Sequence, residues 1–416
     1  MRFVIYLFGN QILNFPKSSI RRLKYDFFYK IHLFKIRLFS KYRKIRIGFW
    51  VTEPTKWTSQ YFYDLLKQDD RFEPFIILSY FKTPQGNVPP KEFYNNAKHF
   101  FESNGCKVYD SFDADNYKFK RLDEFKPDII FYQQPWLISK EQRLEEIYKK
   151  SLLCYIPYCV YSMNSHLNYL SKFHGVMWKY FVETEMHKKE YQKLYNAANC
   201  VNVGSTKLDG YHFINQEEAE KYWKTKNKKR IIYAPHHSFN DGLHEVATFK
   251  ENGKFILELA KSHPETEWIF RPHPAFIDRV LKNSIMTEEE INNYYQEWKN
   301  IGTISTGGNY YEMFSSSDCL ITDCISFLSE YAPTLKPVFH LRKNYQKEEF
   351  NSLVSKIDKS YYQIYTNEEM ASSFERVIIN GDDYLKEKRK NNQKILPFET
   401  LASKNIYDYL KKELWI

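Results

Sequence analysis

One short segment holds the residues best suited to bind a phosphate. An apolar run at residues 319–321 stops at Thr322 and Asp323, and Ser326 and Glu330 follow where an apolar pattern with helical spacing begins. This order predicts a strand, a tight turn and a helix, and the unpaired N–H groups that start a helix attract anions. We expect the hydroxyl groups to hold phosphate oxygens and Glu330, one turn deeper, to accept hydrogen bonds from ribose hydroxyls. The same residues also fit an ordinary helix cap, and Asp323 would repel a phosphate unless backbone N–H groups hold its carboxylate.

A second run, at residues 267–270, ends in a cation, an imidazole and two prolines. Proline cannot continue a sheet ladder, so Arg271 and His273 are predicted to lie in a rigid loop at the carboxyl end of a strand. Ligands bind at that edge in open α/β sheets. The alternative is a loop whose cation forms a purely structural ion pair.

These two motifs belong to a longer ordered set. In chain order it comprises Gly204-Ser205-Thr206-Lys207-Leu208-Asp209, Tyr233-Ala234-Pro235-His236-His237, Arg271-Pro272-His273-Pro274 and the segment from Ser317 to Pro337. The set resembles the CDP-glycerol glycerophosphotransferase family of teichoic-acid and capsule polymer synthesis. The resemblance covers roughly residues 180–342 and weakens towards the amino end.

The resemblance implies a glycosyltransferase-B-like (GT-B-like) enzyme with a CDP-activated donor. In such a reaction His273 would donate a hydrogen bond or a proton to the departing nucleotide phosphate, and Arg271 would act as a fixed cation. The implied catalytic candidates are His273, Arg271, His236, His237 and His174, and the implied donor-binding candidates are Thr322, Asp323, Ser326, Glu330, Gly204 and Lys207.

The chain departs from the family pattern at two places. Family members more usually carry Thr where His236 stands, so His236 and His237 are each left with two possible roles, phosphate binding or proton transfer. Tyr158 stands where the family's amino-terminal Trp-His-Gly-Thr-Pro motif would supply a histidine base. His166 and His174 lie nearby in sequence, and a histidine among aromatic residues is more often packed than catalytic.

Positive charge is concentrated at the amino end. The net charge is +10, and residues 1–44 hold eleven cations against one anion, Asp26. Residues 18–40 are predicted to form an amphipathic helix with a basic face and one apolar stripe: Ile20, Leu23, Phe27, Ile31, Phe34 and Leu38. Such a helix suits an anionic membrane surface, and the alternative is a helix packed on its own domain with a solvated basic face. No nucleic-acid motif accompanies it.

Several chemical classes are excluded by what the sequence lacks. The six cysteines form no CxxC pair, which argues against a zinc site or a disulfide framework and favours a reducing cytoplasm. No GxGxxG or P-loop motif is present, so dinucleotide oxidoreduction and ATP hydrolysis are disfavoured. We predict neither a metal nor a cofactor. The predicted location is the cytoplasmic face of the cell membrane, as a peripheral protein.

Alternating strand and helix patterns predict an α/β fold made of two doubly wound Rossmann-like domains that face each other across a cleft. The predicted divisions are a basic amphipathic membrane-associating segment at 1–44, an acceptor domain at 45–215, a nucleotide-donor domain at 216–385, and a helix at 386–416 that packs back across the domains.

Three functions fit these features. The first is transfer of glycerol or ribitol phosphate from a CDP donor to a cell-envelope glycan or lipid-linked acceptor, in teichoic-acid-like or capsular polysaccharide synthesis. The second is a glycosyltransferase that uses a CMP-activated acidic sugar. The third is a noncatalytic scaffold with the same fold, which the absent amino-terminal histidine favours.

Overall fold

The computed structural model describes residues 2–7, 11–80, 91–113, 115–136, 138–164, 171–195, 198–239, 245–343 and 350–415. The chain divides into two compact units: unit 1 comprises Met1–Cys159, Ser165–Asp209 and Phe398–Ile416, and unit 2 comprises Val160–Asn164 and Gly210–Pro397. His166 lies outside the described residues. The division falls six residues before the domain end predicted at 215, after Asp209.

Unit 1 is built on a parallel sheet. Its strands are β1 Arg2–Leu7, β2 Gln11–Pro16, β3 Ile45–Val51, β4 Phe72–Leu78, β5 Val108–Asp110, β6 Phe112–Asp113, β7 Lys118–Phe119, β8 Ile129–Tyr132, β9 Leu152–Tyr155, β10 Lys179–Val182 and β11 Cys200–Asn202. Within the described ranges seven of them form a sheet in the order β11-β10-β9-β8-β3-β4-β5. β1 with β2, and β6 with β7, form separate antiparallel pairs.

The helices of unit 1 are Lys17–Phe39, Gln60–Gln68, Lys91–Ser103, Leu144–Ile147, Ser171–Val176, Glu185–Tyr195 and Ala402–Leu414. The strands read as near-continuous apolar runs, such as Ile45–Val51, because helices cover both faces of a parallel sheet and leave the strands buried.

Unit 2 repeats this design with six parallel strands among its described residues. These are β12 Lys229–Ala234, β13 Thr266–Phe270, β14 Gly302–Ile304, β15 Cys319–Thr322, β16 Val338–Leu341 and β17 Tyr362–Ile364, in the sheet order β14-β13-β12-β15-β16-β17. Its helices are Gln216–Glu220, Phe249–Ser262, Phe276–Lys282, Glu288–Ile301, Tyr311–Ser316, Ile325–Glu330, Ser352–Asp358, Asn367–Phe374 and Lys386–Asn392, and a π-helical turn spans Glu375–Ile379. The predicted class, two parallel-sheet Rossmann-like α/β domains, is confirmed.

The last predicted segment, 386–416, is shared between the units. Residues 386–397 lie in unit 2, whereas the terminal helix Ala402–Leu414 lies in unit 1. Asp209, the last residue of the predicted Gly-x-x-Lys-x-Asp motif, caps that helix: its carboxylate accepts hydrogen bonds from the backbone N–H groups of Ala402 at 2.7 Å and Ser403 at 2.9 Å.

The amino-terminal helix, Lys17–Phe39, packs on unit 1 with a different face from the predicted apolar stripe. The buried side chains are Tyr29, His32 and Ile36, and His32 Nε2 lies 3.2 Å from the backbone oxygen of Tyr148. The stripe points outwards: Leu23 is 63%, Phe27 62%, Phe34 66% and Leu38 48% exposed. Ile31 is half-buried, and the side chain of Ile20 lies outside the described part. In the described ranges no helix combines the length and apolarity that crossing a bilayer requires.

Candidate functional site

The candidate site lies where the chain of unit 2 reverses its path across the sheet. β12, β13 and β14 run outwards to one side, whereas β15, β16 and β17 run to the other, so the reversal falls between the adjacent strands β12 and β15. The register pairs Ala234 with Thr322, which brings the two following loops side by side. Open α/β sheets bind ligands at this switch point.

Asp323 joins these two loops through hydrogen bonds. The carboxylate is 1% exposed, and it accepts hydrogen bonds from the N–H of His236 at 2.6 Å and from the N–H and hydroxyl of Thr248 at 2.6 and 2.9 Å. Burial raises the pKa of Asp323, and the hydrogen-bond donors oppose that rise. Asp323 was predicted to bind the nucleotide donor. Its carboxylate instead points into the protein, where Asp323 acts as a positioning residue.

Thr322 is also turned towards the protein. Its hydroxyl donates to the backbone oxygen of Ala234 at 2.6 Å and accepts from the N–H of Cys324 at 2.9 Å. These two bonds fix the turn between β15 and the helix Ile325–Glu330. Ser326, in the first turn of that helix, is half-buried, and its hydroxyl lies 3.4 Å from the Cys324 sulfur. Of the predicted pair of hydroxyls, Ser326 is the one that remains suited to a ligand.

Arg271 is a buried cation that holds a loop. It is 7% exposed, and its guanidinium donates to Ser305 Oγ at 2.7 Å and to the backbone oxygens of Gly307 at 2.9 Å and Gly308 at 3.2 Å. Both glycines adopt left-handed backbone angles, φ 68° and 69°, which turn the carbonyls towards the guanidinium and which other residues rarely adopt.

The guanidinium of Arg271 forms these hydrogen bonds with neutral groups. Within the part of the chain that the structure describes, no carboxylate forms an ion pair with it. Burial lowers the pKa of Arg271, while nearby Tyr310 and Tyr222 raise it. A buried cation without an anionic partner favours the binding of an anion, because the ligand would supply the missing charge.

Tyr310 connects Arg271 to Glu330. The guanidinium carbon lies 5.7 Å from the centroid of the Tyr310 ring, and the Tyr310 hydroxyl donates to Glu330 Oε2. Glu330 is 4% exposed, and its backbone oxygen accepts a hydrogen bond from the Tyr211 hydroxyl at 2.7 Å. Glu330, the residue predicted to bind the ribose, is thus held in a fixed position by Tyr310 and Tyr211.

Three histidines converge beside this network. The rings of His237 and His273 stack at 3.7 Å between centroids and 20° between planes, and the His236 ring lies 4.4 Å from His237 and 5.8 Å from His273. Nδ1 of His273 accepts the N–H of Ala275 at 3.1 Å, and Nδ1 of His236 accepts the N–H of Ser238 at 3.2 Å. In their neutral forms these two rings therefore carry their proton on Nε2 and present a donor there.

Loss of solvent and the neighbouring His237 ring both affect the protonation of His273. Loss of solvent around the ring and the nearby His237 lower the pKa of His273 from 6.5 to about 4. Between these values the unfolded chain binds more protons than the folded one, so this group lowers stability as the pH falls from 6.5 towards 4. At neutral pH His273 is an uncharged hydrogen-bond donor.

The remaining predicted site residues lie in unit 1. His174 is fully buried, and its ring packs 4.3 Å from that of Tyr180 and 4.8 Å from that of Tyr191. Its place in an aromatic core leaves no surface for a substrate, which removes the physical basis for a catalytic role. Gly204 and Lys207 are half-buried in the segment before Asp209, and Gly204 has a φ of 92°.

Several residues that build the site were not predicted from the sequence. Thr248 anchors Asp323, Ser305 and the Gly307-Gly308 pair receive Arg271, and Tyr310 links it to Glu330. The consecutive glycines Gly307 and Gly308, shortly after a short strand, were the one local signal for this loop. Thr248 offered none, because it is 75 residues from its partner.

Comparisons with known proteins establish the fold. No family model matches the chain, and no curated protein matches it. Solved structures do match. UDP-GlcNAc 2-epimerase from Neisseria meningitidis, bound to UDP-GlcNAc, gives a TM-score of 0.60 at 15% identity over 89% of this chain and 100% of that chain. The S. aureus MnaA–UDP co-structure gives 0.59 at 13% identity, covering 89% and 97%. The wall teichoic acid polymerase TagF gives 0.58 at 13% identity, covering 96% and 97%.

The neighbours therefore include both nucleotide-sugar epimerases and the teichoic acid polymerase. The resemblance noted in the sequence is matched by a solved structure, TagF, that spans almost the whole of this chain. The GT-B-like fold predicted from the motifs is confirmed by both groups of neighbours.

Asp323→Ala should destabilise unit 2 by about 3 kcal/mol, because the substitution leaves buried N–H and hydroxyl donors without an acceptor. Urea denaturation followed by tryptophan fluorescence measures the change. Asp382→Ala is the control, since Asp382 forms an exposed ion pair with Arg376 and should change stability by under about 1 kcal/mol. Equal stability of the two variants would contradict the positioning role of Asp323.

Proposed function

We propose that this protein transfers a polyol phosphate, glycerol or ribitol phosphate, from a CDP-activated donor to a hydroxyl of a cell-envelope glycan or lipid-linked acceptor. The proposal places it in teichoic-acid-like or capsular polysaccharide synthesis. The observation that carries it is the buried Arg271, which forms hydrogen bonds to neutral groups, has no ion pair with a carboxylate of the described residues, and lies in the same loop as His273 at the switch point of unit 2. The resemblance of the motifs to the CDP-glycerol glycerophosphotransferase family supports the choice of donor.

The donor diphosphate is proposed to lie against Ser326 and the histidine stack. Phosphoryl transfer depends mainly on positioning and on stabilising charge that develops on the leaving group. The Nε2–H of neutral His273 can donate to a phosphate oxygen, and the guanidinium of Arg271 supplies a fixed positive field behind it. Thr322 and Asp323 hold the turn, and Glu330 is proposed to bind the ribose.

The reaction forms one bond and breaks one. The acceptor oxygen bonds to the phosphorus that carries the polyol, and the bond from that phosphorus to the bridging oxygen breaks, so CMP leaves with the bonding electrons. The acceptor hydroxyl loses its proton in the same step. His237, which belongs to the stack, and His236, beside it, are the described groups of unit 2 best suited to take it.

Bound phosphate should also change the charge of the histidine stack. Two imidazolium ions about 4 Å apart repel by about 4 kcal/mol at the effective dielectric constant of a protein surface, which opposes the simultaneous protonation of His237 and His273. A diphosphate offsets this repulsion and favours protonation of His273. Donor binding is therefore expected to take up a proton, and protonated His273 becomes an acid that can donate its proton to the departing CMP.

Cytidine nucleotides should raise the melting temperature of the protein, whereas UDP, GDP and ADP should leave it close to that of the free protein. A ligand at about one hundred times its dissociation constant adds ~2.7 kcal/mol to the folded state. Arg271→Ala and His273→Ala should abolish the shift. The matched control is His99→Ala, because His99 is an exposed histidine of unit 1. Differential scanning fluorimetry with each nucleotide measures the effect.

The other outcomes separate the alternatives. A response to UDP and UDP-GlcNAc alone would overturn the cytidine assignment and favour a reaction like that of the epimerase neighbours. A response to CMP-activated acidic sugars, but not to CDP-glycerol or CDP-ribitol, would favour the second function. The absence of any response would favour the noncatalytic scaffold.

We further propose that unit 1 attaches the protein to the cytoplasmic face of an anionic membrane through its amino-terminal helix. At about 100° per residue, the exposed stripe of Leu23, Phe27, Phe34 and Leu38 lies roughly 180° from the buried face of Tyr29, His32 and Ile36. Unit 1 therefore occupies one side of the helix and leaves the apolar side uncovered. The exposed cations Lys24, Lys30 and Lys35 flank the stripe.

The terminal helix of unit 1 adds an aromatic side chain to this region. The Arg37 guanidinium lies 3.3 Å from the centroid of the Trp415 ring, and Trp415 is 76% exposed. Trp side chains are favoured at membrane interfaces. Apolar burial, together with about 1 kcal/mol for each basic residue near anionic lipid, would hold such a helix in the interface plane.

Replacing the four stripe residues by Gln should release the protein from vesicles of phosphatidylethanolamine and phosphatidylglycerol in a sedimentation assay. The fold should persist because these side chains are exposed. Ile277→Gln with Leu281→Gln is the control, since both residues are exposed on a helix of unit 2. Undiminished sedimentation of the stripe variant would contradict the attachment.

A further inference from the structure

Unit 1 has a switch point of its own. β3, β4 and β5 run to one side of its sheet and β8 to β11 run to the other, so the chain reverses between the adjacent strands β3 and β8. Ligands of open α/β sheets bind outside the carboxyl ends of the strands at such a reversal. The loops that follow β3, β8 and β9 meet at this edge.

Five side chains from these loops form a cluster, which we call the switch-point cluster: Glu53, Lys56, Gln134, Trp136 and Tyr158. The Lys56 ammonium donates to Glu53 Oε1 and, at 2.9 Å, to Gln134 Oε1. The same ammonium lies 5.9 Å from the ring centroid of Trp136 and 5.8 Å from that of Tyr158. The two rings are 5.7 Å apart and nearly perpendicular, at 85°.

The backbone beneath the cluster is held in place by buried amides. Gln133 accepts from the N–H of Thr52 at 3.2 Å and donates to the backbone oxygen of Glu53 at 3.0 Å. Gln134, fully buried, donates to the backbone oxygen of Trp136 at 3.0 Å. These bonds join the loop after β3 to the loop after β8, so the cluster is organised before a ligand arrives.

The cluster combines the groups that bind a neutral sugar. Trp136 and Tyr158 are half-buried, and the faces of such rings pack against the C–H face of a pyranose. Carboxylate and ammonium groups beside them bind hydroxyls. Glu53 has used one oxygen for Lys56 and the other for Thr55, at 2.5 Å, and each carboxylate oxygen can accept a further hydrogen bond.

Charge and burial distinguish this cluster from an anion site and from a structural ion pair. Glu53 and Lys56 cancel each other, whereas a phosphate site requires an excess of positive charge. Their side chains are 16% and 20% exposed, so the pair has lost much of its solvation and contributes little to stability. A site for a neutral ligand that donates and accepts hydrogen bonds gives this arrangement a function.

We infer that the switch-point cluster binds a pyranose residue of the acceptor glycan, with Trp136 and Tyr158 as its stacking surface and Glu53 and Lys56 as hydroxyl ligands, while the buried Gln134 holds Lys56 in place. The identification of this sugar as the acceptor rests on the proposed function, whereas the sugar site itself rests on the geometry of unit 1. The inference identifies the acceptor as a neutral sugar at this position rather than a chain of anionic polyol phosphates.

Saturation-transfer NMR with the full chain tests the site without any donor. The probes are the methyl β-glycosides of glucose, galactose and N-acetylglucosamine, with glycerol 3-phosphate as the anionic comparison. At least one glycoside should give a transfer signal, and glycerol 3-phosphate should give none at the cluster. Trp136→Ala should weaken the glycoside by tenfold or more, and Trp136→Phe, which keeps a ring, should retain most of the binding.

Two controls keep the result interpretable. Tyr42→Ala removes an exposed aromatic residue of the same unit and should leave glycoside binding unchanged. Glu53→Gln preserves the shape of the side chain, and it should reduce affinity if the carboxylate accepts hydroxyls. Retained glycoside binding in the Trp136→Ala variant, or no binding of any glycoside by the wild-type protein, would overturn the inference.

Failure of the site and failure of the proposed function give different results. Stabilisation by cytidine nucleotides without glycoside binding would overturn the acceptor site and leave the transferase proposal in place. Glycoside binding lost in Trp136→Ala, without any nucleotide response, would support the sugar site and remove the transferase proposal.

Discussion

The candidate site of unit 2 depends on the buried carboxylate of Asp323. This group holds the loop after β12 through the N–H of His236 and the start of the helix Phe249–Ser262 through Thr248, while its own backbone belongs to the turn after β15. Three segments distant in sequence are thereby fixed at one point. A buried carboxylate is costly, and its donors offset the cost only while all three segments stay in place.

In the candidate site the positive charge and the neighbouring hydrogen-bond donors come from different residues. Arg271 is buried and immobilised by carbonyls, and Tyr310 carries the contact on to Glu330. Close stacking of His237 and His273 opposes their simultaneous protonation. This arrangement suits the proposed binding of a diphosphate, because a buried cation lies near hydrogen-bond donors.

The strands could be predicted well from the sequence, because buried parallel strands are near-continuous apolar runs that end in polar or proline-containing loops. The direction of individual side chains could not be predicted in this way. Asp323 and Thr322 were expected to face a ligand and instead bond within the protein, since their partners Thr248 and Ala234 are adjacent only in the folded sheet. The sequence predicted an apolar stripe on the first helix, but helical periodicity cannot tell which face meets the domain when aromatic residues occupy both.

We propose that a cytidine diphosphate ester binds at the histidine stack of unit 2. NMR of the protein labelled with ¹⁵N at histidine and titrated with CDP-glycerol, whose diester phosphates do not titrate near neutral pH, tests this binding directly. Free His273 should titrate with a pKa of about 4. Bound ligand should raise that value and shift the signals of His237 and His273, whereas His174, buried in unit 1, should not respond. Saturable binding of CDP-glycerol with unchanged His237 and His273 signals would contradict the account.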